Sequence, residues 1–532
     1  METRNQNVGE APIAPSVELL ESRTLLSTYY VSSGGNDGAA GTSTGAAWRT
    51  IARVNAASLK PGDRVLFAGG QTFSGGINLK NGGSSSSPIV IGSYGSGHAI
   101  IKSGTRDGAY LLNKGGVWFQ NLTFVGSPNG WQHDGIHFEI VSGRMSNIRV
   151  ENCTISGYGG NGVFVMGDRS GAGFSDVRIT GNTVHDNVNT GIATFALSHN
   201  AISGVYIANN DVYDNYGDGK STCTGSGIML GGLNGAVVEH NVAHHNGYKG
   251  GNGNLGIWAY DSNNVILQYN ESYGQHSFRG QDGGGFDFDA DTSNSIMQYN
   301  YSHDNDGNGF QLNQWRNNSL FTGDIVRYNV SQNDARKNNY AGLEAWGKVL
   351  NSTFYNNVSF VSPSKAGGNP SGIKVHNASV GGLYVSGLHF ANNIVITTGG
   401  RPLVLVSSAE LGGAKDLRFV GNDYWSSGSA ANFNFGRTYT SLSAWQSATG
   451  QEKLNGKSVG LQVDPKLTAA GTGGVLNGNL AQLSAYRLQS TSPLINKGVN
   501  VATVFGVAGV SKDFFGDPIA AGAASEIGVD QV

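Results

Sequence analysis

An asparagine closes a β-rich run again and again through this chain. It stands in "VWFQN" (Asn121), "IRVEN" (Asn152), "VRITGN" (Asn182), "VYIANN" (Asn210), "AVVEHN" (Asn241), "VILQYN" (Asn270), "SIMQYN" (Asn300), "IVRYN" (Asn329), "STFYN" (Asn356, or its neighbour Asn357), "LHFANN" (Asn393) and "LRFVGN" (Asn422). With Asn357 taken as the ninth, the steps lie between 28 and 36 residues. A second phase runs in step with it: a glycine followed by alternating residues. Its nine copies are "GIHFE" from Gly135, "GVFVM" from Gly162, "GIATF" from Gly191, "GIMLG" from Gly227, "GIWAY" from Gly256, "GFDFD" from Gly285, "GFQLN" from Gly309, "GLEAW" from Gly342 and "GIKVH" from Gly372. Period-two alternation bounded by turn residues is the mark of strands. Short strands at a fixed period, with no helical segment between them, specify an all-β parallel β-helix. One coil cannot bury its apolar face alone, so stacked coils share a continuous core. The asparagines then form a ladder of amides hydrogen-bonded along the axis. The N-x-[ST] matches at Asn270, Asn300 and Asn329 are coincidental in that setting.

The ends read as covers for the open solenoid. Residues Ala46 to Asp63 present an apolar helical face in Ile51, Val54 and Leu59, which predicts an N-terminal capping helix. Thr440 to Gly450 predicts a short capped helix, and the final stretch predicts closing coils and a C-terminal cap. The expected organisation is an N-terminal segment over 1–27, a β-helix with its cap over 28–430, and C-terminal coils and cap, continuous with it, over 431–532. With 82 Gly and 11 Pro the composition is biased, but 38% hydrophobic and 10% aromatic residues support a folded chain. The net charge of −3 gives no footing for nucleic acid. No apolar run reaches membrane-spanning length. Cys153 and Cys223 are too few for a disulfide framework and are expected to be free. A monomer is expected.

In the pattern G-φ-x-φ-x the φ residues point inward and the x residues outward. Phe286 and Phe288 therefore fill the core, and Asp287 and Asp289 stand side by side outside. Their neighbours in the outward columns are Trp258 and Tyr260 on one side, and Gln311, Asn313, Glu344, Trp346, Lys374 and His376 on the other. Acids, amides and aromatics in adjacent rows suit a sugar-binding groove, where rings stack on pyranoses and polar groups hold hydroxyls. Glu344 and Lys374, one coil apart, also suit a plain cross-strand ion pair. Basic residues recur in the intervening loops, at Lys220, Lys249, His276, Arg279, Arg336, Lys337 and Lys365, and such a column predicts an anionic polysaccharide as partner.

These coils resemble the right-handed, single-stranded parallel β-helix proteins of the pectate-lyase superfamily. The similarity lies in the opening from Tyr29 to Phe67 and in "NNVILQYNESYG…DGGGFDFD…NSIMQYNYSHDNDGNGFQL". The segment "LESRTLLS" (Leu20 to Ser27) resembles the export-associated motif of planctomycete proteins, implying a bacterial extracellular or cell-surface location. The site is similar to that of the family 9 pectate lyases, which implies calcium held by Asp282, Asp287, Asp289, Asp304 and Asp306, with Lys337 as base. On that reading the protein is a calcium-dependent lyase cleaving a uronate polymer by β-elimination, with Lys337, Arg279 or Arg336 supplying the base. "DNDGNG" (Asp304 to Gly309) matches the start of a calcium loop, although Trp315 stands where its closing Glu belongs. An inverting glycoside hydrolase is the alternative. Asp287 and Asp289 lie about 6.6 Å apart by strand rise, and Asp287 and Glu344 about 9.6 Å apart across two coils. The third reading is a non-enzymatic glycan-binding or cell-surface protein using the same groove.

Overall fold

The computed structural model describes residues 26–130, 132–278, 280–377, 382–519 and 526–532. Most of the export-like segment and Arg279 lie outside them. Among the described residues the strands fall into three long sheets of 14, 13 and 13 strands, running the length of the molecule. Successive coils pair in parallel and in register. In the third sheet, for example, Trp258 pairs with Asp287, Asp287 with Gln311, Gln311 with Glu344, and Glu344 with Lys374. This is the solenoid the repeat predicts, with the expected columns. Inside it, Val150, Ile179, Ile207, Val238, Leu267 and Met297 stack up one sheet, facing Phe286, Phe288, Phe310 and Leu312 of another. The glycine phase has a steric cause. A Cβ on Gly285 would stand 2.1 Å from the Ser302 hydroxyl, so the turn closes only where that residue has no side chain.

The asparagine ladder is continuous from Asn182 to Asn422. Each buried side-chain amide donates to the carbonyl oxygen of the next amide, as from Asn270 to Asn300 (3.0 Å) and from Asn300 to Asn329 (3.0 Å), and also to a backbone carbonyl. The three sequon asparagines are fully buried in it. A second ladder runs beside the first through Asn187, Asn215, Asn246, Gln275, Asn305 and Asp334. Its members follow the first ladder by five residues at every coil, a constant offset readable in the sequence. Asn300→Ala strips Asn270 of the acceptor for its backbone and side-chain N–H groups and removes the donor to Leu267 O. Leaving these buried groups unpaired is expected to cost about 3–5 kcal/mol, measured as a lowered denaturation midpoint with the fold retained.

The N-terminal helix is shorter than its apolar pattern predicts. It spans Ile51–Ala56, with the Thr50 hydroxyl accepting from Arg53 N (3.1 Å), and Ala57 is already extended. Leu59 is buried beyond the helix. At the other end Leu442–Thr449 is helical between its cap Ser441 and a left-handed Gly450, and Trp445 plugs the core against Phe419, Phe433 and Phe435. The last segment differs from the expected closing coils. From about residue 465 the chain turns back along the outside of the solenoid. It packs Leu480, Leu483, Tyr486, Leu494, Phe514 and Ile527 onto Tyr299, Tyr301, Tyr328, Val358 and Ile394, making a second apolar core. Buried Glu271 holds this strap through Leu476 N and Gly478 N (both 2.7 Å), and Tyr299 and Arg327 donate to its carbonyls at Lys512 and Ala508. Both cysteines are free. Among the described residues no helix is long and apolar enough to cross a membrane.

Candidate active site

The strand Gly284–Phe288 places Phe286 and Phe288 in the core, where Phe286 stacks on Phe310 at 5.0 Å. Asp287 projects from the opposite face, as the alternation requires. The expected open outer face is corrected here: Trp258, Asp287, Gln311 and Glu344 are all buried. Loops from successive coils fold over them and tie to one another. Cys223 N donates to Asn252 O (2.7 Å), Gly253 N to Asp282 Oδ2 (2.7 Å), and Asn338 Nδ2 to Asp282 O (2.9 Å). A repeat pattern carries no information on these irregular loops, and they convert the flat face into a cleft.

The cleft has a volume of about 810 Å³. Asp282 and Asp289 are the carboxylates on its lining, and Gln311, Asn313, Tyr340, Trp315 and Trp346 surround them. Lys374 and His376 also reach it. Asp289 follows the strand directly, with its N–H bound to Ala259 O (2.8 Å) and its Oδ1 accepting from Ala290 N (2.7 Å). Burial raises its pKa to about 7, aided by the charge of Asp282 and opposed by the Ala290 N–H and Trp315 bonds and by Arg316. Asp282 is raised by burial too, and Gly253 N–H and the Tyr340 hydroxyl (3.2 Å) restrain the shift. Asp287 lies beneath the lining. Burial, then Asp289, Asp282 and Glu344, push its carboxyl well above the usual range, and its Oδ1 has no protein partner. Gln311 Oε1 and Asn313 Oδ1 are likewise buried without a protein partner.

Glu344 behaves differently. Burial alone would raise it, but Lys374 (3.5 Å) and His376 (2.7 Å) hold it below the ordinary range. Its second oxygen accepts from Ala341 N (2.9 Å). The cross-strand ion pair is therefore present, and Lys374, which also donates to Asn339 O (2.6 Å), is not free to meet a ligand's charge.

Other expected site residues stand elsewhere. Trp258 is packed under the 222–226 loop, its indole N–H on Ser226 Oγ (3.2 Å), and Tyr260 leans on it with ring centres 5.3 Å apart. Neither lines the cleft; Trp315, Tyr340 and Trp346 supply its aromatic surface. Tyr340 and Trp315 sit in loops outside the period, and the one signal pointing to them was an aromatic residue close to a glycine-phase strand. Lys337 is exposed and its ammonium bonds to Ser277 O, away from the lining. Arg336 donates to Ser362 O and Pro363 O, and Lys249 lies over the Tyr216 and Tyr248 rings, so these loop cations tie down their surroundings.

The calcium set does not converge. Asp304 follows the strand Tyr301–His303 of the second sheet and pairs with His303 Nδ1 (3.0 Å). Asp306 accepts from Ser277 N (2.8 Å), and Asn305 between them belongs to the inner ladder. The loop-like spacing of these residues comes from a solenoid turn. Among the described residues, the groups of three ligand-capable side chains with atoms within 4.8 Å are Asp107, Asp134 and His137, and Asp513, Asp517 and Asp530. None of the five aspartates is in either group.

Parallel coils stacked in register agree with what comparison finds. The chain belongs to the right handed beta helix region family, which it matches over residues 72–250 and 220–359. Lacto-N-biosidase of Bifidobacterium longum subsp. longum is 27% identical over 418 residues, covering 58% of this chain and 26% of that protein. This chain thus matches about a quarter of the length of that curated relative. A GH136 lacto-N-biosidase from Eubacterium ramulus shares the fold at 20% identity and a TM-score of 0.50, covering 66% of this chain and 68% of that one. Pectate lyase Pel9A, at 18% identity and a TM-score of 0.42, covers 95% and 96%.

Proposed function

We propose that this protein hydrolyses a glycosidic bond in a neutral glycan, with Asp282 and Asp289 as the carboxyl pair that flanks the bond. The observation that carries this reading is the cleft lining itself. Its two carboxyl groups are both raised toward neutrality, amid aromatic rings and unpartnered amide oxygens that suit sugar faces and hydroxyls. Repulsion between the two carboxylates favours a singly protonated pair. Its proton goes to the leaving glycosidic oxygen, while the ionised partner stabilises the positive charge developing at the anomeric carbon or activates water. Tyr340 and Gly253 N–H hold Asp282 in place, and Ala290 N–H holds Asp289.

The similarity to a lacto-N-biosidase supports hydrolysis of a neutral oligosaccharide. Elimination from a polyuronate needs a cation beside the substrate carboxylate and a base nearby. Among the described lining residues the basic side chains are Lys374 and His376, and both are engaged by Glu344. The ionised member of the carboxyl pair adds negative charge to the lining, which disfavours a polyanion. The test is turnover of an aryl lacto-N-bioside, neutral N-acetylhexosamine oligosaccharides, oligogalacturonides and alginate, each with calcium and with chelator. Reducing ends released from the neutral compounds, indifferent to chelator, are the expected result. Ultraviolet absorbance of an unsaturated uronate, rising only with calcium, would overturn it in favour of a lyase. Binding of these glycans without turnover would favour a glycan-binding protein.

A further inference from the structure

A second pocket, of about 250 Å³, opens toward the N-terminal coils on the same face. Val188 and Met229 give it an apolar floor, and Asn189, Asp218 and Ser221 give it a polar rim. It shares Thr222 and Cys223 with the main cleft. Those two residues form a ridge, one side facing each space. The ridge is built rather than loose. Asp218 accepts from Lys220 N (2.8 Å), Ser221 N (2.7 Å) and the Ser221 hydroxyl (2.6 Å), while Cys223 adopts φ +61° with its N–H on Asn252 O (2.7 Å). Met229 occupies the outward column next to Trp258, which precedes Asp287. It stands two coils, roughly 10 Å, from the acid-bearing coil.

From this continuity we propose that the second pocket is a distal sugar-binding subsite, occupied by a residue of the same neutral glycan chain whose bond lies at Asp282 and Asp289. An apolar floor with a polar rim is the surface a pyranose requires, one face stacked and its edge hydroxyls hydrogen-bonded. The Asn189 side chain has no hydrogen-bond partner among the described residues and is available to a hydroxyl. Burial holds the Cys223 thiol up at about 12, so the ridge is chemically inert and serves as a divider. The consequence is a preference for longer chains: binding energy gathered at the distal pocket adds to that at the cleft.

This inference rests on the hydrolase reading, and the experiment separates the two. A ladder of neutral N-acetylhexosamine oligosaccharides, from disaccharide to octasaccharide, is presented to the wild-type protein, to Met229→Trp, which fills the pocket, and to Asn189→Ala. Wild-type kcat/KM is expected to rise about tenfold or more as the chain becomes long enough to cross the ridge. Both variants should flatten that rise, and circular dichroism reports whether each is folded. A wild-type protein that cleaves the ladder with no length dependence, or variants that keep it, overturns the subsite and leaves the hydrolase standing. If nothing is cleaved, the hydrolase reading falls and the subsite is read by calorimetry with the same ladder. Length-dependent affinity lost in the folded variants supports it; affinity unchanged by them, or absent, overturns it.

Discussion

Asp289→Asn is expected to remove at least about 10²-fold, and up to about 10⁴-fold, of kcat, with little change in KM and no loss of fold. The amide keeps the shape and the Ala290 N–H bond but can neither deliver nor take the proton. Asp282→Asn should match it, and the double variant should be little worse than either, because the two act as one unit. Asp287→Asn separates the cleft from the layer beneath it. Its carboxyl is buried and does not line the cleft, so a loss of about tenfold is expected, from altered positioning alone. A kcat for Asp289→Asn within threefold of wild type would dismiss the pair. A loss confined to Asp287→Asn would move the chemistry one layer down.

The second large effect is on stability. Asp289, Asp334, Glu410 and Glu452 are raised by burial to about 7, and burial also raises Asp287, Asp324 and Asp423 well above their ordinary range. In the unfolded chain such groups release their protons near pH 4. Between about pH 4.5 and 7 the folded state therefore binds more protons than the unfolded one, and stability falls as pH rises. His137 and His303, raised because their carboxylate partners outweigh burial, act in the same direction, since their stabilisation fades above the ordinary histidine range. His245 and His389, lowered by burial, oppose it. Asp291 and Glu344, lowered despite burial, lose their contribution only as pH falls below their ordinary range. The thermal midpoint should peak near pH 5 and fall by about 10 °C by pH 8. Calorimetry across that range decides it: a midpoint that climbs toward pH 8 would mean these acids are ionised when folded, and the cleft would lose its proton source.

What could be read in advance follows the period. The alternation around Phe286 and Phe288 fixed which side of the strand Asp287 takes, and the recurring asparagines fixed the coil length. Both arise from local rules that each coil repeats. Burial of Asp287 and Trp258 was not legible, because it depends on loops 217–225, 249–253 and 338–340, whose lengths and sequences do not repeat. The same loops bring Tyr340 to Asp282 across 58 residues of sequence. Asp304 misled for the opposite reason: in Asp304 to Gly309 a solenoid turn and a calcium loop share the same small polar residues. The strap after residue 465 has no period at all, and its apolar residues could be placed only by the tyrosines they cover.

That strap changes how the molecule can come apart. In a plain stack each rung meets only its neighbours, so thermal fraying peels inward from either end. Here a single segment staples the rungs from Glu271 to Asn392 through Leu476, Gly478, Ala508 and Val499. Those rungs must open together or not at all, whereas earlier ones can breathe singly. The border between the two regimes crosses the cleft. Asp289, Gln311 and Trp346 ride on the stapled half, and Thr222, Cys223 and Asn252 on the looser half. Fluctuations that widen the groove to admit a chain can thus come from the ridge side and leave Asp289 undisturbed, whereas Asp282, tied to Gly253 N, feels them.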